Sequence, residues 1–141
     1  MIFFTPNESG LDFLAVFGKT ISDQVPWVLR VPRRQDVIDT AAYEKKVLDL
    51  VSKHLPVSVP NWQVHTSELI AYPLLEGVPI ATINLVIQNY EWYLDSSNLP
   101  QVFNQSLVEA MVALHRIDHE EARQAGIRVH NSQEVNGCKD E

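Results

Sequence analysis

Apolar and polar residues alternate over short segments in the first half of the chain, which is typical of strands. We expect strands near residues 2–5, 11–18, 26–31, 62–66 and 68–73. One face of the second strand is apolar and consists of Leu11, Phe13, Ala15 and Phe17. The third strand carries Arg30 near its end and stops at Pro32. The pattern therefore predicts a sheet with a fixed cation at one edge.

A helical period replaces the alternation between residues 35 and 55. One face of this long helix carries Val37, Ala41, Glu44, Leu48, Val51 and Leu55. Glu44 is the one charged residue on that face, and a carboxylate directed at the protein body is costly unless a cation meets it. Arg30 is the nearest candidate cation in the sequence. The alternative is that Glu44 lies at the rim of the apolar face and is solvated.

The second half of the chain predicts a connector and two further helices. Residues 74–100 form an irregular connector with a short element around residues 89–94, and helices follow near 101–116 and 118–126. The first of these helices has an apolar stripe of Phe103, Leu107, Met111 and Leu114. Residues 127–141 are polar and aperiodic, so we expect a disordered tail.

Composition and charge narrow the function classes. Hydrophobic residues make up 45% of the 141 residues, enough for one core, and no apolar run approaches the length of a membrane span. The net charge of −7 comes from residues 61–141, which hold four basic and eleven acidic residues, so nucleic acid is not expected as a partner. The lone Cys138 suits the cytoplasm, and the histidines lack metal-ligand spacing, so no structural zinc is expected.

A turn-forming cluster separates the first two predicted strands. Residues 7–10 read Asn-Glu-Ser-Gly, and the backbone N–H groups of Ser9 and Gly10 can approach a phosphate because glycine has no side chain in the way. Most such turns are only turns. The turn alone therefore indicates no function. It becomes informative when it is followed, in this order, by the strand with Arg30 and the helix with Glu44.

That ordered set carries a family resemblance over residues 5–134. The matching segments are residues 7–13 (NESGLDF), 27–30 (WVLR), 32–37 (PRRQDV), Glu44, 59–62 (VPNW), 68–73 (ELIAYP), 75–79 (LEGVP) and 113–115 (ALH). Together they resemble the macrolide phosphotransferases, in the aminoglycoside phosphotransferase superfamily with its protein-kinase-like fold. The resemblance implies an α+β fold: a kinase-like N-terminal lobe with a five-stranded antiparallel sheet and one long helix, followed by the first helices of an incomplete C-terminal lobe.

The resemblance also implies a division of the chain. Residues 1–73 would form the nucleotide-binding lobe and end in the hinge. Residues 74–126 would form a linker and the first helices of a truncated C-terminal lobe, and residues 127–141 the disordered tail. The stripe on helix 101–116 would stay exposed and promote self-association.

Site residues follow from the same resemblance. Arg30 takes the place of the phosphate-contacting lysine, and Glu44 that of the glutamate that orients it. The phosphate side comprises Ser9, Gly10 and Asp12. The hinge comprises Ile70, Ala71 and Tyr72, whose backbone would bind a purine. The donor would be GTP or ATP with Mg²⁺, and the acceptor a macrolide hydroxyl, which would confer antibiotic resistance.

The chain departs from the family pattern in its catalytic groups. The family's His-Gly-Asp loop and Ile-Asp-Trp motif, which supply the catalytic aspartate and the magnesium ligands, do not occur in this sequence. The His115-Arg116-Ile117-Asp118 segment has one residue too many for a kinase His-Arg-Asp motif, so we expect a structural role for His115. A frameshift, a premature stop codon or an artificial chain end would each explain the polar terminus. We therefore expect a nucleotide-binding lobe that is inactive alone.

Three alternatives remain open at the level of sequence. The first is a non-catalytic nucleotide-binding or interaction module. The second is a fragment of another small-molecule kinase of the superfamily, acting on aminoglycosides, choline or homoserine. The third is an unrelated α+β domain in which Arg30 and Glu44 are ordinary surface charges.

Overall fold

A computed structural model of the chain describes residues 2–7, 10–84, 86–95 and 98–129. One sheet contains five strands: β1 (Ile2–Asn7), β2 (Phe13–Lys19), β3 (Pro26–Pro32), β4 (Val64–His65) and β5 (Ile70–Pro73). They are antiparallel, in the order β1-β2-β3-β5-β4. The predicted α+β class and the five-stranded antiparallel sheet are therefore confirmed.

The register of the sheet places Arg30 on its central strand. Arg30 pairs with Ala15 of β2 on one side and with Ile70 of β5 on the other. Val28, two residues earlier, pairs with Phe17 and with Tyr72 in the same way. Side chains two residues apart share a face of a strand, so all six of these residues lie on one face of the sheet.

Helix α1 (Gln35–Val51) follows β3 and packs on this face. It ends four residues before the predicted end at Leu55. After Val51 the N–H groups of Lys53 and His54 bond three residues back, to Leu50 and Val51, which tightens the chain into a turn. Pro56 reinforces the stop, because the residue before a proline is disfavoured in the α conformation.

The core lies between α1 and the sheet. Its centre is Ala41 of α1, Trp62 before β4 and Ile70 of β5, and Ile70 is fully buried. Phe13, Leu48 and Tyr72 are partly buried against this centre. The core thus joins α1, which carries Glu44, to β5, the strand that pairs with Arg30 of β3.

The predicted irregular connector contains a hairpin, which corrects the sequence interpretation. Strands β6 (Ala81–Asn84) and β7 (Asn89–Trp92) pair as a separate two-stranded sheet. The turn is closed by the Asn84 side chain, whose oxygen accepts the N–H groups of Val86 and Ile87. Strands of four residues give too short an alternation to be recognised in sequence. The predicted short element at 89–94 corresponds to β7.

Two helices complete the described part of the chain: α2 (Gln101–His115) and α3 (His119–Gln124). No residue of α2 is buried, and Leu107 and Met111 of the predicted stripe are 51% and 48% exposed. His115 closes α2 by donating a ring N–H to the Met111 carbonyl at 2.8 Å, in agreement with a structural role. None of the described helices is long and apolar enough to cross a membrane.

Helix α3 is held against α1. Asp118 caps α3 by accepting the N–H groups of Glu120 and Glu121, which makes the helix begin one residue later than predicted. The carboxylate of Glu121 lies 2.9 Å from His54 Nε2. The Arg128 N–H donates to the Tyr43 hydroxyl at 3.1 Å. The rest of the predicted disordered tail, from residue 130, lies outside the described residues.

Candidate functional site

The central feature of the candidate site is an ion pair between β3 and α1. Arg30 Nη1 donates to Glu44 Oε1 at 3.0 Å, and Nη2 donates to Oε2 at 3.4 Å. The side chains are 19% and 38% exposed, so the pair lies at the rim of the core. The predicted pairing is confirmed, and the alternative placement of Glu44 at the rim also holds. Two parallel hydrogen bonds fix the orientation of a guanidinium as well as its position.

Aromatic rings hold the same guanidinium from the side. The Arg30 Cζ atom lies 3.9 Å from the centre of the Phe13 ring and 5.6 Å from that of Trp62. Both distances fall within the range of cation–π attraction. Burial raises the pKa of the nearby Tyr72 phenol, while the positive charge of Arg30 opposes that shift. Arg30 is therefore held in one orientation by Glu44 and the two aromatic rings.

A cavity of about 580 Å³ opens beside Arg30 on the same face of the sheet. Its apolar walls include Phe13, Phe17, Val28, Leu74 and Leu75, and its polar groups include Asp12, Arg30 and Tyr72. Phe17, Leu74 and Leu75 remain 39%, 42% and 38% exposed, so the walls are open to an incoming ligand. Small-molecule sites of this kind have volumes of about 300–1,000 Å³ and mostly apolar walls with a few polar groups.

The predicted hinge residues divide into two groups. Ile70 and Ala71 lie between β3 and β4, with strand partners on both sides, and the Ala71 carbonyl accepts the Gln63 N–H at 3.0 Å. Neither residue lines the cavity. Tyr72 does line it and pairs with β3 alone. One side of β5 therefore has no strand partner after Ala71. This limit is set by β4, which has two residues where the sequence predicted a strand over residues 62–66.

Close packing at Gly10 restricts the loop that the sequence predicts beside the phosphates. A methyl group on Gly10 would lie 2.8 Å from the Phe13 carbonyl oxygen, closer than a carbon atom can approach. Glycine is therefore needed at this point of the loop. Gly10 lines the cavity, whereas the neighbouring Ser9 lies outside the described residues.

Arg34 is a site residue that sequence reasoning missed. Its Nη2 donates to Asp12 Oδ1 at 2.8 Å, its Nη1 to the Leu11 carbonyl at 3.2 Å and its Nε to Asp36 Oδ1 at 3.1 Å. These bonds, first with Asp36 and then with Asp12, raise the pKa of Arg34, and Arg34 lowers the pKa of Asp36. The predicted Asp12 carboxylate thus faces Arg34. The partners are 22 residues apart, and no periodic pattern connects them.

A metal ion would require several free ligand side chains near the cavity. In the described ranges, no three His, Cys, Asp or Glu side chains form a group that could hold a metal ion. Asp12 and Asp36 are engaged by Arg34, and Glu44 by Arg30. The described residues therefore do not fit a magnesium ion.

Comparison with known proteins agrees with this geometry. A sequence model described as the phosphotransferase enzyme family matches residues 4–135. The chain belongs to the phosphotransferase enzyme family. This phosphotransferase chain is also 42% identical over 123 residues to the uncharacterized protein YcbJ of Bacillus subtilis (strain 168), covering 87% of this chain and 40% of YcbJ.

Solved structures place the phosphotransferase chain near the macrolide enzymes, as the sequence resemblance predicted. The crystal structure of the macrolide 2'-phosphotransferase MphH apoenzyme from Brachybacterium faecium aligns with a TM-score of 0.81 and 40% identity, over 92% of this chain and 42% of MphH. A macrolide 2'-phosphotransferase type I aligns with a TM-score of 0.68 and 36% identity, over 86% of this chain and 40% of that protein. The chain thus spans about two fifths of the length of these relatives.

Proposed function

We propose that this chain forms the nucleotide-binding lobe of a phosphotransferase that moves the γ-phosphate of GTP or ATP to a macrolide hydroxyl. The observation that carries the proposal is the fixed Arg30–Glu44 pair at the wall of an open, mostly apolar cavity. The macrolide acceptor is supported by the similarity to two macrolide 2'-phosphotransferases. Phosphorylation of a macrolide in the cytoplasm would confer resistance to it.

The cavity suits the purine of the donor. Val28 and the exposed apolar groups Phe17 and Leu74 offer an apolar surface for one face of a planar ring. Purine recognition also requires backbone groups, and those of Ile70 and Ala71 face neighbouring strands. We therefore assign the backbone contacts to the segment that begins at Tyr72 and runs through Leu75, which lines the cavity.

The phosphates would lie near Arg30 and the loop at Gly10. A guanidinium has five N–H donors, and Glu44 accepts two of them, so donors remain for a phosphate. Because Glu44 and Phe13 already hold the group, little conformational entropy is lost when a phosphate binds. Glu44 acts here through Arg30 and does not itself contact the donor.

Catalysis by this polypeptide alone is not expected. The sequence contains neither the His-Gly-Asp loop nor the Ile-Asp-Trp motif, so no residue is assigned as catalytic base or magnesium ligand. The transferring phosphoryl group would be neither aligned nor neutralised. The exposed apolar residues of α2 further support self-association of the chain in solution.

Titration of the isotope-labelled chain with GTP and ATP, followed by backbone NMR shifts, tests the proposal. We expect shifts at Gly10, Phe17 and residues 72–75, and none at α3. Arg30→Gln should weaken binding, whereas Arg123→Gln, which removes an exposed cation on α3, should leave it unchanged. Shifts confined to residues 101–124, or equal affinity of both variants, would contradict the assignment. Phosphate transfer from GTP to erythromycin by this polypeptide would contradict its expected inactivity.

A further inference from the structure

We propose that Arg34 is a positioning residue that fastens the phosphate-facing loop to helix α1. This inference rests on the proposed nucleotide site. Arg34 contacts the loop twice, through the Leu11 carbonyl at 3.2 Å and the Asp12 carboxylate at 2.8 Å. It contacts α1 through Asp36, with Nε–Oδ1 and Nη2–Oδ2 distances of 3.1 and 3.3 Å. One side chain therefore bridges two elements that are distant in sequence.

The backbone reinforces the same bridge. The N–H of Arg33 donates to the Asp12 carbonyl at 3.0 Å, which continues the pairing of β2 and β3 beyond its last register pair, Phe13 and Pro32. Gly10 approaches the Phe13 carbonyl closely in the same stretch. Arg34 thus holds the chain directly after the glycine, where the loop enters β2.

The bridge also aligns the loop with the Arg30–Glu44 pair. Asp36 precedes Glu44 by eight residues on α1, which is about 12 Å along a helix. Arg34 and Arg30 therefore contact α1 at two points, Asp36 and Glu44. The loop takes its position from the contact at Asp36. Both ion pairs line a single cavity of about 220 Å³.

The exposure of the Arg34 ion pairs indicates that they position the loop more than they stabilise the fold. The side chains of Arg34, Asp12 and Asp36 are 50%, 61% and 70% exposed. Ion pairs this exposed contribute little to the stability of a fold. Loss of Arg34 should therefore release the loop without unfolding the protein, and its main effect should be on a ligand that contacts the loop.

Comparing the affinities of the intact chain for GTP and for guanosine distinguishes contacts with the phosphates from contacts with the purine. We expect Arg34→Ala to weaken GTP binding by at least about fivefold and to change guanosine binding by less than about twofold, because the loop faces the phosphates and not the purine. Arg34→Lys should restore only part of the GTP affinity. An ammonium keeps the charge, but it cannot donate to Leu11, Asp12 and Asp36 at once as the planar guanidinium does. Arg123→Ala is the matched control.

Asp36→Asn distinguishes positioning from direct phosphate contact. If Arg34 positions the loop, loss of the Asp36 charge weakens the bridge and lowers GTP affinity. If Arg34 itself binds phosphate, the same change removes a competing anion and raises GTP affinity. The Arg33 N–H donates to the Asp12 carbonyl at 3.0 Å, so its hydrogen exchange should be faster in Arg34→Ala than in the parent chain, with or without nucleotide.

Several results would overturn the inference. They are an unchanged ratio of GTP to guanosine affinity in Arg34→Ala, full restoration by Arg34→Lys, a gain of GTP affinity in Asp36→Asn, or unchanged hydrogen exchange of the Arg33 amide in Arg34→Ala. A parent chain that binds neither GTP nor guanosine would instead overturn the proposed function, and this inference with it.

Discussion

Breaking the Arg30–Glu44 pair is the sharpest test of how the candidate site is held. Glu44→Ala removes both acceptors and leaves a largely buried guanidinium without its counter-charge. Arg30→Ala removes the cation together with its packing on Phe13 and Trp62. Arg30→Lys keeps the charge but cannot form two parallel hydrogen bonds. Measured together, the single and double alanine variants give the coupling energy of the pair.

The expected magnitude follows from the burial of the two side chains. Removing one partner of a fully buried pair costs about 3–5 kcal/mol, whereas an exposed pair contributes about 0–1 kcal/mol. Because Arg30 is 19% and Glu44 38% exposed, we expect Glu44→Ala to cost about 2 kcal/mol. Arg30→Ala should cost about 0.5–1 kcal/mol more, since it also loses the contact with the Phe13 ring. Arg30→Lys should fall below both.

Urea unfolding monitored by circular dichroism measures these free energies of unfolding. The matched control is the Glu120–Arg123 pair of α3, with a 3.4 Å contact and side chains 65% and 50% exposed. Its coupling energy should be about 0.2–0.5 kcal/mol, against about 1–1.5 kcal/mol for Arg30–Glu44. The reasoning fails if the two coupling energies are equal, or if Arg30→Lys costs as much as Arg30→Ala.

Three further predictions concern the loop, the cavity and α2. Gly10→Ala should weaken GTP binding more than guanosine binding in a titration, because the added methyl would displace the loop from the Phe13 carbonyl; equal losses would contradict this. Burial raises the pKa of Tyr72, so stability should be complete below its ordinary value of 10.0 and fall as the pH rises above it. Thermal melts of Tyr72→Phe should therefore lose less stability above that pH than melts of the parent chain. The exposed stripe of α2 should make the chain elute larger than 16.0 kDa in gel filtration, and Met111→Lys should shift it towards the monomer, whereas an already monomeric parent would refute the stripe's role.

The sequence predicted the features that depend on local periodicity. Strand alternation and the apolar face of α1 repeat over many residues, so the sheet, the long helix and the position of Glu44 on that face were all recognised. Arg30 followed because a burial cost at Glu44 demands a cation, and a single strand offered one. Short features were predicted less well. Strand β6 was missed and β7 was expected only as a short element, because each has four residues. Strand β4 was predicted over residues 62–66 and has two residues.

The bridge of Arg34 shows a second limit. Asp12 and Arg34 are exposed polar residues, and their pairing depends on how the loop and α1 meet in three dimensions. The resemblance assigned Asp12 to nucleotide binding, while the structure shows its carboxylate facing an arginine. The sequence shows that Asp12 and Arg34 are charged, but only the fold determines which residue each of them pairs with.

The charges near the proposed phosphate position bear on the proposal that this chain binds a nucleotide but does not catalyse phosphoryl transfer. The smaller cavity of about 220 Å³ is lined by two arginines, Arg30 and Arg34, and by three carboxylates, those of Asp12, Asp36 and Glu44, which gives a net charge of −1. A triphosphate therefore meets directed N–H donors but no excess of positive charge. The proposed purine cavity has mostly apolar walls, so we expect the purine to supply more of the affinity of this chain than the phosphates do. Neutralising the phosphates requires further cations, and phosphoryl transfer requires the catalytic motifs that this sequence lacks.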